Sequence, residues 1–164
     1  MFSFPNPVNE VSARVVAAGV AAMSVAAIAA QQPWLTAVIA YGFIARVASG
    51  PTLSPLGQLA TRVITPRLAF ASRPVPGPPK RFAQGIGATL SSAAAVLALG
   101  FGLDTAAYVL LAALVVAATL KSAFGLCLGC KAFAPLMRIG AIPPEVCERC
   151  ANVSIDPTPL SGTS

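Results

Sequence analysis

Four apolar stretches, Val11 to Ala30, Trp34 to Ala48, Ala83 to Gly102 and Thr105 to Leu120, carry almost no ionisable side chain away from their ends. A helix crosses a bilayer core with about 20 apolar residues. With their ends counted, the stretches give spans of about 11–30, 33–49, 83–102 and 104–124. Arg46 and Lys121 would then extend their side chains towards the head groups. A soluble bundle would need charged outer faces, and none appears at helical spacing. Only 10% of the chain is charged, against about 25% in ordinary soluble domains. The expected fold class is all-α, a four-transmembrane-helix bundle with short cytoplasmic helices.

The first stretch is preceded by FPNPVNEVSAR, in which Arg14 is offset by Glu10, and three similar stretches follow. It reads as a retained helix, not a cleaved signal peptide. Gln31-Gln32-Pro33 and Leu103-Asp104 are short enough to demand antiparallel hairpins. The long connection, residues 50–82, carries Arg62, Arg67, Arg73, Lys80 and Arg81 and no acid. Basic loops stay cytoplasmic, so four spans place both termini inside. Arg14, Lys121, Lys131, Arg138 and Arg149 all fall on that side, and Asp104 is the one charge on the other. The net charge of +6 thus encodes orientation in an inner membrane and calls for no nucleic acid.

Small residues such as Gly85-Ile86-Gly87-Ala88 favour close helix packing and would also permit self-association. Spans without interior charge disfavour a pump. Asp104 is placed to cap the fourth helix, and Asn6 to cap the first with Pro7 at its first position. Glu10 and Arg14, four apart, read as a surface pair. In the connection, Leu56 to Ile64 has helical spacing, whereas RPVPGPPKR reads as an extended strap. Asn152 to Ser164 reads as a disordered tail. The expected organisation is a membrane domain at 1–124, a cysteine-rich cytoplasmic segment at 125–151 and the tail at 152–164.

No histidine exists, which removes the Ser-His-Asp triad, the Cys-His pair and every His-ligated metal site. The chemistry that remains lies in two C-x-x-C pairs, Cys127 with Cys130 and Cys147 with Cys150. They account for every cysteine, and their separation falls in the range of zinc sites. In one reading the four thiolates hold a structural zinc that folds the segment. Neither pair has the Cys-Pro-x-Cys-Gly form of common zinc knuckles. In another, the pairs are redox dithiols. A helix over Leu126 to Met137 would set Cys127 at its positive end, with Lys131 one turn on, and both features lower a thiol pKa. Ile142-Pro143-Pro144-Glu145 suggests a second helix start before Cys147. An iron-sulfur cluster is the third reading, weakened by the absence of ferredoxin spacings. A reducing cytoplasm favours metal binding or transient redox work over a permanent disulfide.

The segments FPNPVNEVSARV, SPLGQLATRVITPR, PPKRFAQGIG, FGLCLGC and CERC resemble the bacterial membrane-protein family known as domain of unknown function 4395, from Phe4 to about Cys150. The resemblance implies a small helical inner-membrane protein of a kind common in actinobacteria. It also implies thioredoxin-like or sulfurtransferase-like neighbours, and it transfers no catalytic residue. The resulting expectation is a membrane-anchored thiol-disulfide or sulfur relay with the lipid bilayer and such a soluble protein as partners. Cys127 attacks, Cys130 resolves, and Cys147 and Cys150 pass the equivalents on. The alternative is a membrane scaffold or small transporter whose tail is folded by a zinc site made of all four cysteines. A quinone-linked disulfide enzyme would need the pairs on the opposite side of the membrane.

Overall fold

Helices occupy all four apolar stretches in the computed structural model, which describes residues 8–68 and 74–143. In chain order the elements are β1 (Val8–Asn9), α1 (Glu10–Ala29), α2 (Trp34–Ser49), α3 (Pro55–Gln58), a π-helical turn (Leu59–Ile64), α4 (Thr65–Arg67), β2 (Pro74–Val75), α5 (Gly77–Ala95), a π-helical end to α5 (Val96–Gly100), α6 (Asp104–Phe124) and α7 (Leu128–Arg138). Three helices, Glu10–Ala29, Gly77–Gly100 and Asp104–Phe124, are long and apolar enough to cross a membrane; Trp34–Ser49 is apolar but shorter.

Many large apolar side chains face outwards, while most of the fully buried ones are small, with Leu111 the large exception. Val38, Tyr41, Val96, Val109 and Val116 are exposed, whereas Ala27, Ser24, Ser91, Ala94 and Ala107 are fully buried. Only 22% of the apolar window in α1 and in α5, and 28% in α6, is buried inside the protein. Water would penalise so much exposed apolar surface, and lipid does not. Gly87 shows why the interior is small: a Cβ there would lie 2.3 Å from Cε1 of Phe43, so α5 runs directly against that ring on α2. Gly85, two residues earlier, meets open space.

The helices pack in the lateral order α1, α6, α5, α2. The consecutive pair α1 and α2 touches more lightly, and α3 folds back against both of them while the turn after it lies against α1. Leu56 of α3 lies over Gly19, and Ser54, the N-cap of α3, is fully buried. The periodic segment 56–64 is helical as its spacing predicts, with Leu56 packed on the core and Ala60 fully buried while Leu59 and Val63 of the same apolar side stay exposed.

Several local expectations are corrected. The strap is extended only in its first half, where Pro74-Val75 form β2 and Pro76 is extended; Gly77-Pro78-Pro79 form the first turn of α5, so the third apolar helix begins at 77 and not at 83. Proline is tolerated there because first-turn amides have no intrahelical partner. Asn9 caps α1 by accepting from the Val11 amide at 3.0 Å; Asn6 and Pro7 lie outside the described residues. Asp104 is the first residue of α6, Leu103 is the cap, and no side chain caps that end. Its carboxylate meets the positive helix end only through the dipole.

Neither Arg46 nor Lys121 reaches outwards. Arg46 is 3% exposed beneath Ser54 and over the Phe43 ring, and Lys121 is paired inside the bundle with Glu10. Glu10 and Arg14 do not form the surface pair either. Glu10 turns to Lys80 and Lys121, and Arg14 donates from Nε to the Ser122 carbonyl at 3.0 Å and from Nη2 to the Ala123 carbonyl at 2.8 Å. Tertiary partners replace the local one because both residues lie where α1 packs on α6.

Candidate functional site

The first cysteine pair sits where α6 ends and α7 begins. Gly125 closes α6 in the left-handed region, at φ 70°, which a side chain would strain. Its amide donates to the Lys121 carbonyl and the Leu126 amide to the Leu120 carbonyl, a paired C-cap that turns the chain sharply. Arg14 occupies two of the remaining carbonyls from outside. Two residues later Cys127 is the N-cap of α7.

The short helix α7 is held against the start of α5. Phe133, 3% exposed, packs edge-on to Phe82 with ring centroids 5.6 Å apart, and Met137 and Ile142 complete the cluster. Gly129, between the two cysteines, is the point of closest approach: a Cβ there would lie 2.5 Å from the Ala83 Cα. Backbone cannot yield as a flexible side chain can. Gly129→Ala is expected to cost about 1–3 kcal/mol of overpacking and to loosen α7 from α5. Limited proteolysis after Lys131 or Arg138, faster in the variant than in the parent, measures this.

Sequence reasoning places Cys127 at a helix start, and the structure agrees, with α7 starting at Leu128 instead of Leu126. The Cys127 sulfur accepts from the Cys130 amide at 3.4 Å. A hydrogen bond from the Cys130 side chain is the largest influence on Cys127, and it outweighs burial, which opposes ionisation. The amide, Lys121 and Lys80 act in the same direction, and the thiol is lowered to about 6. Cys130 is pushed strongly upwards, first as donor to Cys127, then by burial and by the neighbouring negative charge. One sulfur is thus a thiolate near neutrality and the other its proton-bearing partner. The cations that favour it are Lys121 and Lys80; the expected cation, Lys131, is exposed.

Sequence reasoning missed the charge cluster behind the pair. Glu10, from the start of α1, bridges Lys80 at the start of α5 and Lys121 near the end of α6. These side chains are only 9% (Lys80), 12% (Lys121) and 18% (Glu10) exposed. One carboxylate neutralises one of two ammonium groups, and the surplus positive charge complements a thiolate at Cys127. The two-residue ladder of β1 and β2, with Val8 opposite Val75 and Asn9 opposite Pro74, ties the two helix starts together. A signal existed in the sequence: Glu10 is the one acid before residue 145 at an end otherwise lined by Lys and Arg.

Cys147 and Cys150 lie outside the described residues, and so do the suggested helix start at Pro144-Glu145 and the tail from Asn152. Among the described residues, no three Cys, Asp or Glu side chains gather as metal ligands. A zinc or iron-sulfur site would draw its remaining ligands from that second pair.

No curated protein and no solved structure matches the chain significantly. The model of one family, domain of unknown function (DUF4395), matches residues 8–138, which include Cys127 and Cys130 and end before Cys147. This span is shorter than the resemblance of Phe4 to Cys150 read from the motifs, yet it takes in the whole described bundle with α7, and the chain belongs to the DUF4395 family.

Proposed function

We propose that the protein is a multi-pass inner-membrane protein with four spans and cytoplasmic termini, which relays thiol-disulfide or sulfur equivalents through Cys127 and Cys130. The observation that carries this reading is the placing of the pair: Cys127 is the N-cap of α7 and its sulfur accepts from the Cys130 amide at 3.4 Å, an arrangement that, with Lys121 and Lys80 nearby, favours its thiolate over that of Cys130. That division of labour suits attack by one sulfur and resolution by the other. The orientation is supported by charge. Arg14, Arg46, Lys80, Arg81, Lys121 and Lys131 all lie at the end of the bundle that carries α7, and the opposite turns hold only Asp104. In this reading α2, the shorter apolar helix, is the second of the four spans, at about 33–49.

In the relay, the Cys127 thiolate attacks one sulfur of a partner disulfide, forming a mixed disulfide and releasing the partner's other sulfur as thiolate. Cys130 gives up its proton to the released partner thiolate and attacks Cys127, which breaks the mixed disulfide, frees the partner's second sulfur and forms the Cys127–Cys130 disulfide. The partner leaves with both sulfurs reduced, having gained the two electrons that the C-x-x-C pair lost. A soluble thioredoxin-like dithiol, acting directly or through Cys147 and Cys150, restores the reduced pair.

The test uses glutathione disulfide and a chain in which Cys147 and Cys150 are replaced by serine. Cys130→Ser is expected to accumulate a mixed disulfide at Cys127, and Cys127→Ser to accumulate none at Cys130. Equal trapping by both variants overturns the relay. So does one tightly held zinc per full-length chain with all four thiols unreactive. Modification of intact cells by a membrane-impermeant thiol reagent tests orientation, and rapid labelling from outside reverses it.

A further inference from the structure

Arg46 is not part of the thiol site. It is 3% exposed, its Nη1 donates to the Ser54 hydroxyl at 3.2 Å, and its guanidinium carbon lies 4.5 Å from the centre of the Phe43 ring. Its Nε is buried without a hydrogen-bond partner among the described residues, and the ion pairs there both belong to Glu10. A buried cation with an idle donor and no counter-ion is costly unless an anion reaches it.

Arg46 also lines a cavity of about 290 Å³ between α1, α2 and α3. Its other walls include Val20, Met23, Ile39 and Leu56, with Val38, Tyr41 and Leu59 at exposed positions. The cleft therefore opens on the apolar flank of the bundle. Arg46 lies in the last turn of α2, at the end that also carries Glu10, Lys80 and Lys121. If that end lies at a membrane surface, the cation is at head-group depth and the apolar walls run from it towards the bilayer centre.

We propose that this cleft holds one anionic phospholipid of the surrounding bilayer, with its phosphate on the Arg46 guanidinium and one acyl chain along Val20, Met23 and Ile39. The planar fork of arginine matches phosphate oxygens; the unpartnered Nε is buried, so the phosphate would engage the fork by drawing the side chain towards the cavity. The volume is near the lower limit of pockets that enclose a small ligand. It suits part of one chain, while the open flank leaves the glycerol and second chain in the bilayer. The proposal rests on the membrane reading above and is independent of the relay.

The test starts from the membrane fraction; absence of the chain from it refutes the membrane reading, and the proposal with it, before any lipid is added. Delipidated protein in detergent is then heated with phosphatidylglycerol, phosphatidylcholine, oleate or inorganic phosphate. Phosphatidylglycerol is expected to raise the unfolding temperature at about ten-fold lower concentration than phosphatidylcholine, because the choline cation offsets the charge of the same phosphate and leaves no net anion for Arg46. Val38→Trp, which blocks the mouth without touching Arg46, should abolish this response and leave the helicity and lipid-free unfolding temperature unchanged. Arg46→Gln should respond equally to both phospholipids. An equal response of the parent to the two phospholipids, or a preserved response in folded Val38→Trp, overturns the proposal. Oleate acting as well as phosphatidylglycerol indicates a fatty-acid site, inorganic phosphate alone acting as well indicates a plain anion site, and either refutes the phospholipid.

Discussion

Glu10→Gln is expected to destabilise the bundle by about 3–5 kcal/mol, the cost of leaving buried charge without its partner. Among the described residues Glu10 is the only acid in contact with Lys80 and Lys121, and all three side chains are largely buried. Its loss changes the cluster from one surplus positive charge to two. Adding Lys121→Met to Glu10→Gln returns the surplus to one and should recover about half of the loss, since desolvation of the remaining lysine persists. Thermal unfolding of the three proteins in one detergent measures this, and an unchanged unfolding temperature for Glu10→Gln would show that the cluster carries no stability. A thiol readout separates electrostatics from general loosening. Two unneutralised lysines draw the ionisation of Cys127 below about 6, whereas undocking of α7 returns it towards ordinary thiol values.

The second large effect is in the rate at which Cys127 reacts with iodoacetamide in a chain whose Cys147 and Cys150 are replaced by serine. At pH 5 about 10% of a thiol of pKa 6 is ionised, against roughly 0.03% for an ordinary thiol near 8.5. Lower basicity makes the thiolate itself about ten-fold less nucleophilic, which leaves a net advantage of about 30-fold. The rate should rise to a plateau with a midpoint near 6, and Cys127→Ser should remove this phase and leave slow alkylation of Cys130 at high pH. A single midpoint above 8 for both sulfurs would refute the asymmetry. Linkage gives the sign for stability. A thiol whose folded pKa is lowered contributes fully above its unfolded value near 8.5, and the contribution is lost as pH falls towards 6. The reduced protein should therefore lose stability between about pH 8.5 and 6 from this group, and Cys127→Ser should remove that slope.

The two effects share an origin in how the bundle is connected. Glu10, Lys80 and Lys121 are far apart in the chain, and they meet because the start of α5 and the end of α6 lie at the same end as the start of α1. The short turn after α6 then delivers Cys127 to them, and Gly129 lets α7 settle on α5 beside Lys80. A change at Gly129 should therefore alter thiol chemistry without touching a sulfur atom.

Local physical preference determined much of this protein. Hydropathy located the four apolar helices to within a few residues, except the start of α5, where the prolines that stop a helix elsewhere occupy a first turn that needs no amide donor. The Phe124-Gly125 break and the helix after it were legible because the left-handed C-cap and the helix start are properties of a few neighbouring residues. The partners of charged side chains were not. Arg46, Lys121, Glu10 and Arg14 each suggest a local or interfacial role by spacing, and each is taken instead by a partner outside its own helix. Electrostatic pairing acts through space in a medium that penalises any unpaired charge, so only the assembled tertiary structure could decide which lysines stand behind Cys127 and which arginine lines the cleft.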